Sequence, residues 1–265
     1  MAKNVKGTCH LCGSYEKLSF EHLPSEKAFN DCSVKLYNHF MGIPGRDYDY
    51  QISQRGLGRH TLCENCNNNT GSWYGDAFVE WACQGMNVLK YTENRPSLYY
   101  RFRIFPLRVL KQIACMMFSV NDHEFRLYHQ DLVKFVLNKE ERYLNPDIRF
   151  FAFFNAKGFR TAGGMVQVDT NNFNMDSPES LGEIAGKVRA KIESQRAPSE
   201  IAFPPLGYVL AVDSERLDYR LIDISYFAKY RYEDKCSIEL RLPVLPIGSP
   251  YSMDYRNRQD IEHAK

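Results

Sequence analysis

The sequence predicts an α+β protein: a small zinc-stapled module over residues 1-95, followed by a mixed α+β domain over residues 96-265. Three observations predict it. Cys9-His10-Leu11-Cys12 and Cys63-Glu64-Asn65-Cys66 are two Cys-x-x-Cys pairs of identical spacing, with residues 13 to 62 between them. A helical pattern of Leu107, Leu110, Ile113, Ala114 and Met117 lies mid-chain. After Pro146 the pattern changes to short apolar runs of strand character.

The elements follow in order. Gly7 to Ser14 reads as a zinc knuckle, in which a tight Gly-containing turn lets two thiolates face one ion; His10 within it is expected to be an exposed bystander. Glu16 to Pro24 predicts a short strand ending at Glu21-His22, and Pro24 limits its continuation in a sheet. Residues 25 to 61 carry Gly42, Pro44, Gly45, Gly56 and Gly58 and predict a long loop or irregular hairpin. A stretch of that length is uncommon in a compact domain unless it is functional. Its Arg46, Arg55 and Arg59 make it a candidate substrate-facing loop. A helix is expected from Asn67 to about residue 90, because Asn is a good cap and Val79, Trp81, Ala82, Met86 and Leu89 offer an apolar face. Residues 91 to 103 read as the boundary between two parts.

Pro106 to Ser119 predicts a helix, with Pro suited to its first turn. A second follows near residues 129 to 139. Strands are expected at Ile148 to Asn155, Thr161 to Asp169, Tyr208 to Val212, Leu221 to Phe227 and Cys236 to Leu242. A helix is expected over residues 178 to 196, with Gly182 and Gly186 as its weak points. The tail from Pro250 is polar.

Composition narrows the function classes. With 265 residues, 44% of them hydrophobic and 25% charged, the chain can bury a full core, which excludes a disordered or fibrous protein. A net charge of only +2 supplies little attraction for a polyanion, so any nucleic-acid contact must come from a local basic surface. The N-terminal Met-Ala-Lys-Asn-Val-Lys-Gly has no apolar signal region, and no run reaches the roughly 20 apolar residues that span a bilayer. A cytoplasmic protein with no membrane partner is therefore expected. In a reducing compartment, paired Cys-x-x-Cys motifs read as metal ligands, not as disulfides. Cys9, Cys12, Cys63 and Cys66 then form one structural Zn2+ site, as four thiolates suit a tetrahedral ion.

Glu21-His22 precedes the second cysteine pair, and Asn67 follows it at once. Hydrolysis of a phosphodiester needs an activated water, stabilisation of added negative charge and help for the leaving oxygen. An imidazole can deprotonate the water, and a hard divalent cation on oxygen ligands can grip the phosphate. Adjacent residues of a regular strand face opposite sides, so Glu21 and His22 converge only if a bulge or bend intervenes.

The order Cys-x-x-Cys, Glu21-His22-Leu23-Pro24, Leu62-Cys-x-x-Cys-Asn67 and then Gly71 resembles the zinc-containing HNH endonucleases of the ββα-metal (His-Me finger) group, over residues 9 to about 80. That resemblance implies an HNH-like ββα module with Glu21 and Asn67 as ligands of a catalytic Mg2+ or Mn2+ and His22 as general base. It implies a metal-dependent endonuclease acting on DNA, with a place in phage defence or a mobile element. The motif does not separate RNA from DNA. Three positions depart from the family pattern. Pro24 stands two residues after the His where the family's Pro stands three after. Gly58 occupies the place of the middle Asn that braces the base loop, and Arg59 or His60 stands nearest to replace it. Thr70 occupies the place of a basic residue. Arg55, Arg59, His60, Arg101 and Arg103 are the candidate substrate-binding residues, the last two from a basic group with Arg95, Arg108 and Lys111. A second basic group is Lys187, Arg189, Lys191 and Arg196. For residues 96-265, DNA binding, homodimer formation, ligand sensing and partner docking all remain open. A non-catalytic zinc module that binds nucleic acid or a protein is the alternative reading.

Overall fold

A computed structural model describes residues 5–31, 33–37, 50–54, 56–91, 95–155, 161–163, 199–212 and 220–245 of the chain. The fold is α+β. Three strands, β1 (Lys6–Thr8), β2 (Tyr15–His22) and β5 (Gly58–Cys63), make an antiparallel sheet in the order β1-β2-β5. Between β2 and β5 stands a hairpin of β3 (Val34–Tyr37) and β4 (Tyr50–Ser53). Thus the stretch expected to be a long loop or irregular hairpin contains a two-stranded hairpin and most of β5. Polar β5, Gly-Arg-His-Thr-Leu-Cys, gains its strand state from pairing with β2 and not from any apolar alternation.

Cys63 ends β5 and caps α1 (Glu64–Thr70), its sulfur accepting from the Cys66 amide. The helix therefore starts three residues before the expected Asn67, because the second knuckle is itself the helix start. It passes through a π-helical turn, Gly71–Gly75, into α2 (Asp76–Leu89). The extra residue of a π turn rotates the helix beyond it. Here Tyr74 points inward with its hydroxyl donating to the Val136 carbonyl at 2.7 Å.

The larger sheet runs β6-β12-β7-β10-β9-β8, with β11 also on β7. Its strands are β6 (Ser97–Ile104), β7 (Ile148–Asn155), β8 (Thr161–Gly163), β9 (Ser199–Phe203), β10 (Leu206–Val212), β11 (Ile222–Asp223) and β12 (Cys236–Leu245). The β12–β7 pairing is parallel and the other pairings are antiparallel, so the sheet is mixed. Ile148–Asn155 is a strand at the expected bounds. Residues 97–103, part of the stretch read as a boundary, instead lie in β6, since Leu98, Phe102 and Ile104 pack inward at period two. The expected strand over Leu221 to Phe227 is only Ile222–Asp223 and then a 3-10 turn, Ser225–Lys229, that seats Phe227 in the core. Of the expected strand Thr161 to Asp169, only Thr161–Gly163 lies within the described residues. The expected helix over residues 178 to 196, with its basic group, and the tail from Pro250 lie outside them.

At the centre is α3 (Pro106–Val120), followed by the short α4 (Phe125–Tyr128) and α5 (Gln130–Leu137). The sequence marks one apolar face on α3, but every residue from Val109 to Val120 is buried. The π turn and α2, α5, the 3-10 turn, β5 and β9 all pack against it. A single core cluster joins Cys9, Leu18 and Leu62 of the small sheet to Leu110 and Ile113 of α3 and to Phe150, Leu210 and Leu242 of the large sheet. Buried polar bonds cross the same ground: Trp81 Nε1 donates to the Tyr208 hydroxyl at 2.7 Å, and the Tyr232 hydroxyl donates to the Trp73 carbonyl at 3.0 Å. Among the described residues, no helix is long and apolar enough to cross a membrane.

Candidate functional site

Four cysteine sulfurs meet where the knuckles close. The ligand atoms of Cys9, Cys12, Cys63 and Cys66 all lie within 4.8 Å of one another. Tetrahedral zinc with Zn–S bonds of about 2.3 Å places its sulfurs about 3.8 Å apart. Cys12 Sγ and Cys63 Sγ are 3.8 Å apart. The Cys63 amide donates to Cys9 Sγ at 3.3 Å and the Cys66 amide to Cys63 Sγ at 3.4 Å, the amide-to-sulfur bonds that steady a thiolate. Hydrogen bonds, first from the Cys66 thiol and then from backbone amides, draw the Cys9 thiol well below its ordinary value. The donor set fits a structural metal such as zinc. It is the only cluster of three or more His, Cys, Asp or Glu ligands among the described residues.

His10, expected to be an exposed bystander, is half-buried, with its Nδ1 3.1 Å from the Phe118 carbonyl of α3. It therefore clips the knuckle to the central helix.

Glu21 and His22 sit at the end of β2. The β2–β5 register shifts between Ser19 and Phe20: Ser19 opposes Leu62 and Phe20 opposes His60, so Thr61 is an extra residue on β5. This is the expected bulge, but it does not bring the two side chains together. Glu21 is 5% exposed and turns toward the core. Its Oε2 accepts from the Ser119 hydroxyl of α3 and from Thr61 Oγ1 at 3.3 Å. Burial pushes its carboxyl up to about 7, against the opposing pull of those two hydroxyls.

His22 takes the other face of the β2–β5 pair. Its ring stands edge-on to Phe20 at 5.0 Å between centroids, and Phe20 in turn meets His60 at 5.3 Å. The His22 side chain is 17% exposed, and its Nε2 lies 3.9 Å from a Glu26 carboxylate oxygen. His60 thus shares a face with His22, whereas exposed Arg59 pairs in register with Glu21. Arg55 lies outside the described residues.

Asn67 ties helix to strand: its Nδ2 donates to Ser19 Oγ at 3.0 Å and to the Phe20 carbonyl at 3.5 Å. Asn68 and Asp76 are exposed. Thr70, at the place of an expected basic residue, is buried and donates to the Cys66 carbonyl at 2.9 Å.

Asn30 was not singled out by sequence reasoning. It is fully buried. Its Nδ2 donates to the Pro24 carbonyl at 2.6 Å and the Leu57 carbonyl at 2.7 Å, and its Oδ1 accepts from the Leu57 amide at 2.7 Å. The loop leaving His22 is thereby pinned to the approach of β5. No local pattern marks Asn30; its partners are brought together only by the β2–β5 pairing. Gly56 makes room for it. With φ +77 it is left-handed, and a Cβ there would come within 2.1 Å of the Asn30 carbonyl oxygen. At Gly58 a Cβ would lie 2.4 Å from the Phe20 ring, so no bracing side chain fits where the family pattern has its Asn.

The first basic group disperses. Lys111 is fully buried and donates to the Asn138 carbonyl at 2.8 Å and to the Phe135 carbonyl, closing the C-terminus of α5. Arg108 donates to the Tyr232 carbonyl at 2.8 Å and lies over the Tyr232 ring. Arg101 and Arg103 are exposed on β6, and Arg101 is paired with Glu239.

Comparisons with protein-family models, with curated proteins and with solved structures find no match to this chain.

Proposed function

We propose that the protein is an HNH-type endonuclease that hydrolyses phosphodiester bonds in nucleic acid, DNA first, with His22 as general base. The carrying observation is the unit formed by β2, β5 and α1. A four-cysteine site clips it together, it ends on half-buried His22, and Asn30 pins the loop behind that residue. In this reading the His22 imidazole takes a proton from water as the water oxygen bonds to phosphorus. The bond from phosphorus to the 3′ oxygen breaks, and that oxygen takes up a proton.

The divalent ion of the resemblance fits less well than the zinc. As folded, the Glu21 carboxylate is held by Ser119 and Thr61 inside the core. No step is assigned to that ion. The inward turn of Glu21 favours a second reading, a zinc module that binds nucleic acid without cutting it. Plasmid incubated with wild type or His22→Ala, in Mg2+ or Mn2+ with an EDTA control, separates the two. Nicking lost in the variant supports the nuclease, and an inactive wild type that still binds DNA supports the module.

A further inference from the structure

The large sheet carries two different surfaces on one side. On β7 and β10 that side bears Phe151, Phe153, Val209 and Ala211, joined by Leu245 at the end of β12, as a second apolar cluster. Toward β6 and the start of β12 it changes character. Tyr99, Arg101 and Arg103 alternate along β6, and Ser237, Glu239 and Arg241 oppose them on β12, all six exposed. The inward positions between them, Phe102, Ile238 and Leu240, carry the core packing, so the outward set is not needed to fill it. The edge beyond β6 is closed at one point. Gln84 accepts from the Arg103 amide and donates to its carbonyl, both at 2.8 Å, and so stands in for a neighbouring strand.

We propose that this face is a docking surface for a single nucleic-acid strand, with the phosphates on the arginines and a base on the Tyr99 ring. Three guanidinium groups face one carboxylate, which is complementary to a polyanion. Alternate residues of a strand stand about 6.8 Å apart, so Tyr99, Arg101 and Arg103 form a straight ladder along which a backbone can track. Arg241 lies across from Tyr99 in register, its Nε donating to Ser97 Oγ at 3.2 Å. An aromatic platform beside a basic track is how proteins hold single strands without reading sequence. Glu239 is the internal competitor. It accepts from Arg101 Nε at 2.9 Å and from the Tyr99 hydroxyl, occupying the groups that a phosphate would take. The choice of nucleic acid as the polyanion rests on the functional reading above; the surface itself contains none of the residues assigned to cleavage.

The test is fluorescence-anisotropy binding of a labelled oligothymidylate of about 20 nucleotides to the full chain over a salt series, with circular dichroism to confirm folding. Arg103→Gln with Arg241→Gln removes two phosphate contacts and lowers the slope of log affinity against log salt by about 1.4. Affinity falls at least about tenfold at low salt. Glu239→Gln frees Arg101 and tightens binding about threefold, an effect that a merely structural role would not produce. If the double variant fails to fold, Glu239→Gln decides alone. Affinity and slope unchanged in both variants, or no binding by wild type, overturns the proposal. Competition by polyglutamate as strong as by unlabelled oligothymidylate reassigns the face to an acidic peptide and overturns it too. Cleavage by His22 is read separately in plasmid, so its failure and the failure of this surface are distinguishable.

Discussion

Glu21 turns its carboxylate into the core, where Ser119 and Thr61 hold it. In the folded chain its carboxyl ionises near 7, above its ordinary value of 4.5. The unfolded chain therefore binds fewer protons than the native one between those values, and stability falls as pH rises through that window. The loss amounts to at most about 3 kcal/mol. Thermal unfolding followed from pH 4.5 to 8 should show this decline in wild type, and Glu21→Gln should flatten it, because a neutral amide still meets Ser119 and Thr61. An equal decline in the variant would place the titrating group elsewhere. Asn30 is the second residue with large leverage. Replacing it by Ala leaves the Pro24 carbonyl and the Leu57 amide without their Asn30 partner, while the Leu57 carbonyl keeps the Leu23 amide, at a cost of about 2–4 kcal/mol, readable as a lower urea midpoint with zinc content retained. Glu21, His22 and Asn67 are visible in the sequence as residue types next to cysteine pairs. Which way Glu21 points is not, because that depends on Thr61 and Ser119, which no local pattern connects to it.

The elements that announce themselves do so through periodicity. Pro106–Val120 has its Pro start and apolar spacing, and Ile148–Asn155 is a continuous apolar run. Leu98, Tyr100, Phe102 and Ile104 alternate as clearly along β6, and that alternation is the signal by which the strand could have been found. Polar β5 had no such signal. It is a strand because β2 lies beside it and ligand cysteines stand at its end and just beyond it. Zinc should therefore be bound by the native chain at one ion per chain by elemental analysis. Cys63→Ser should abolish it and unfold β1, β2 and β5 with it, since the metal closes segments far apart in sequence. A Cys63→Ser protein with full zinc content would contradict the site. At the free edge of β6, Gln84→Ala exposes the Arg103 backbone pair. It should cost about 1 kcal/mol and promote self-association, measured by light scattering.

Across the whole molecule the central helix belongs to both sheets. Ser119 meets Glu21, Phe118 meets His10, and Ile113 lies in the same core cluster as Leu18 and Leu242. Trp81, on α2, is fully buried and bonded to Tyr208 of the large sheet. Each fully buried side chain of that size contributes roughly 1.5–3 kcal/mol, and a fragment of residues 1-95 would present several of them to water. That fragment should lack a cooperative melt even with zinc, whereas the full chain should melt in one transition. The α+β class was legible because helical and strand-like runs lie in separate stretches. The shared core was not, because a buried helix and an amphipathic one differ in what surrounds them and not in local spacing.

The central proposal is that the strand-strand-helix unit carrying the four cysteines is a nuclease with His22 as its base. The most direct measurement is plasmid cleavage by purified wild type beside His22→Ala, with Mg2+ or Mn2+ and an EDTA control, in protein shown to be folded and zinc-loaded. Nicking or linearisation by wild type is expected, reduced at least about hundredfold in the variant. Equal cleavage by both proteins would contradict the assignment.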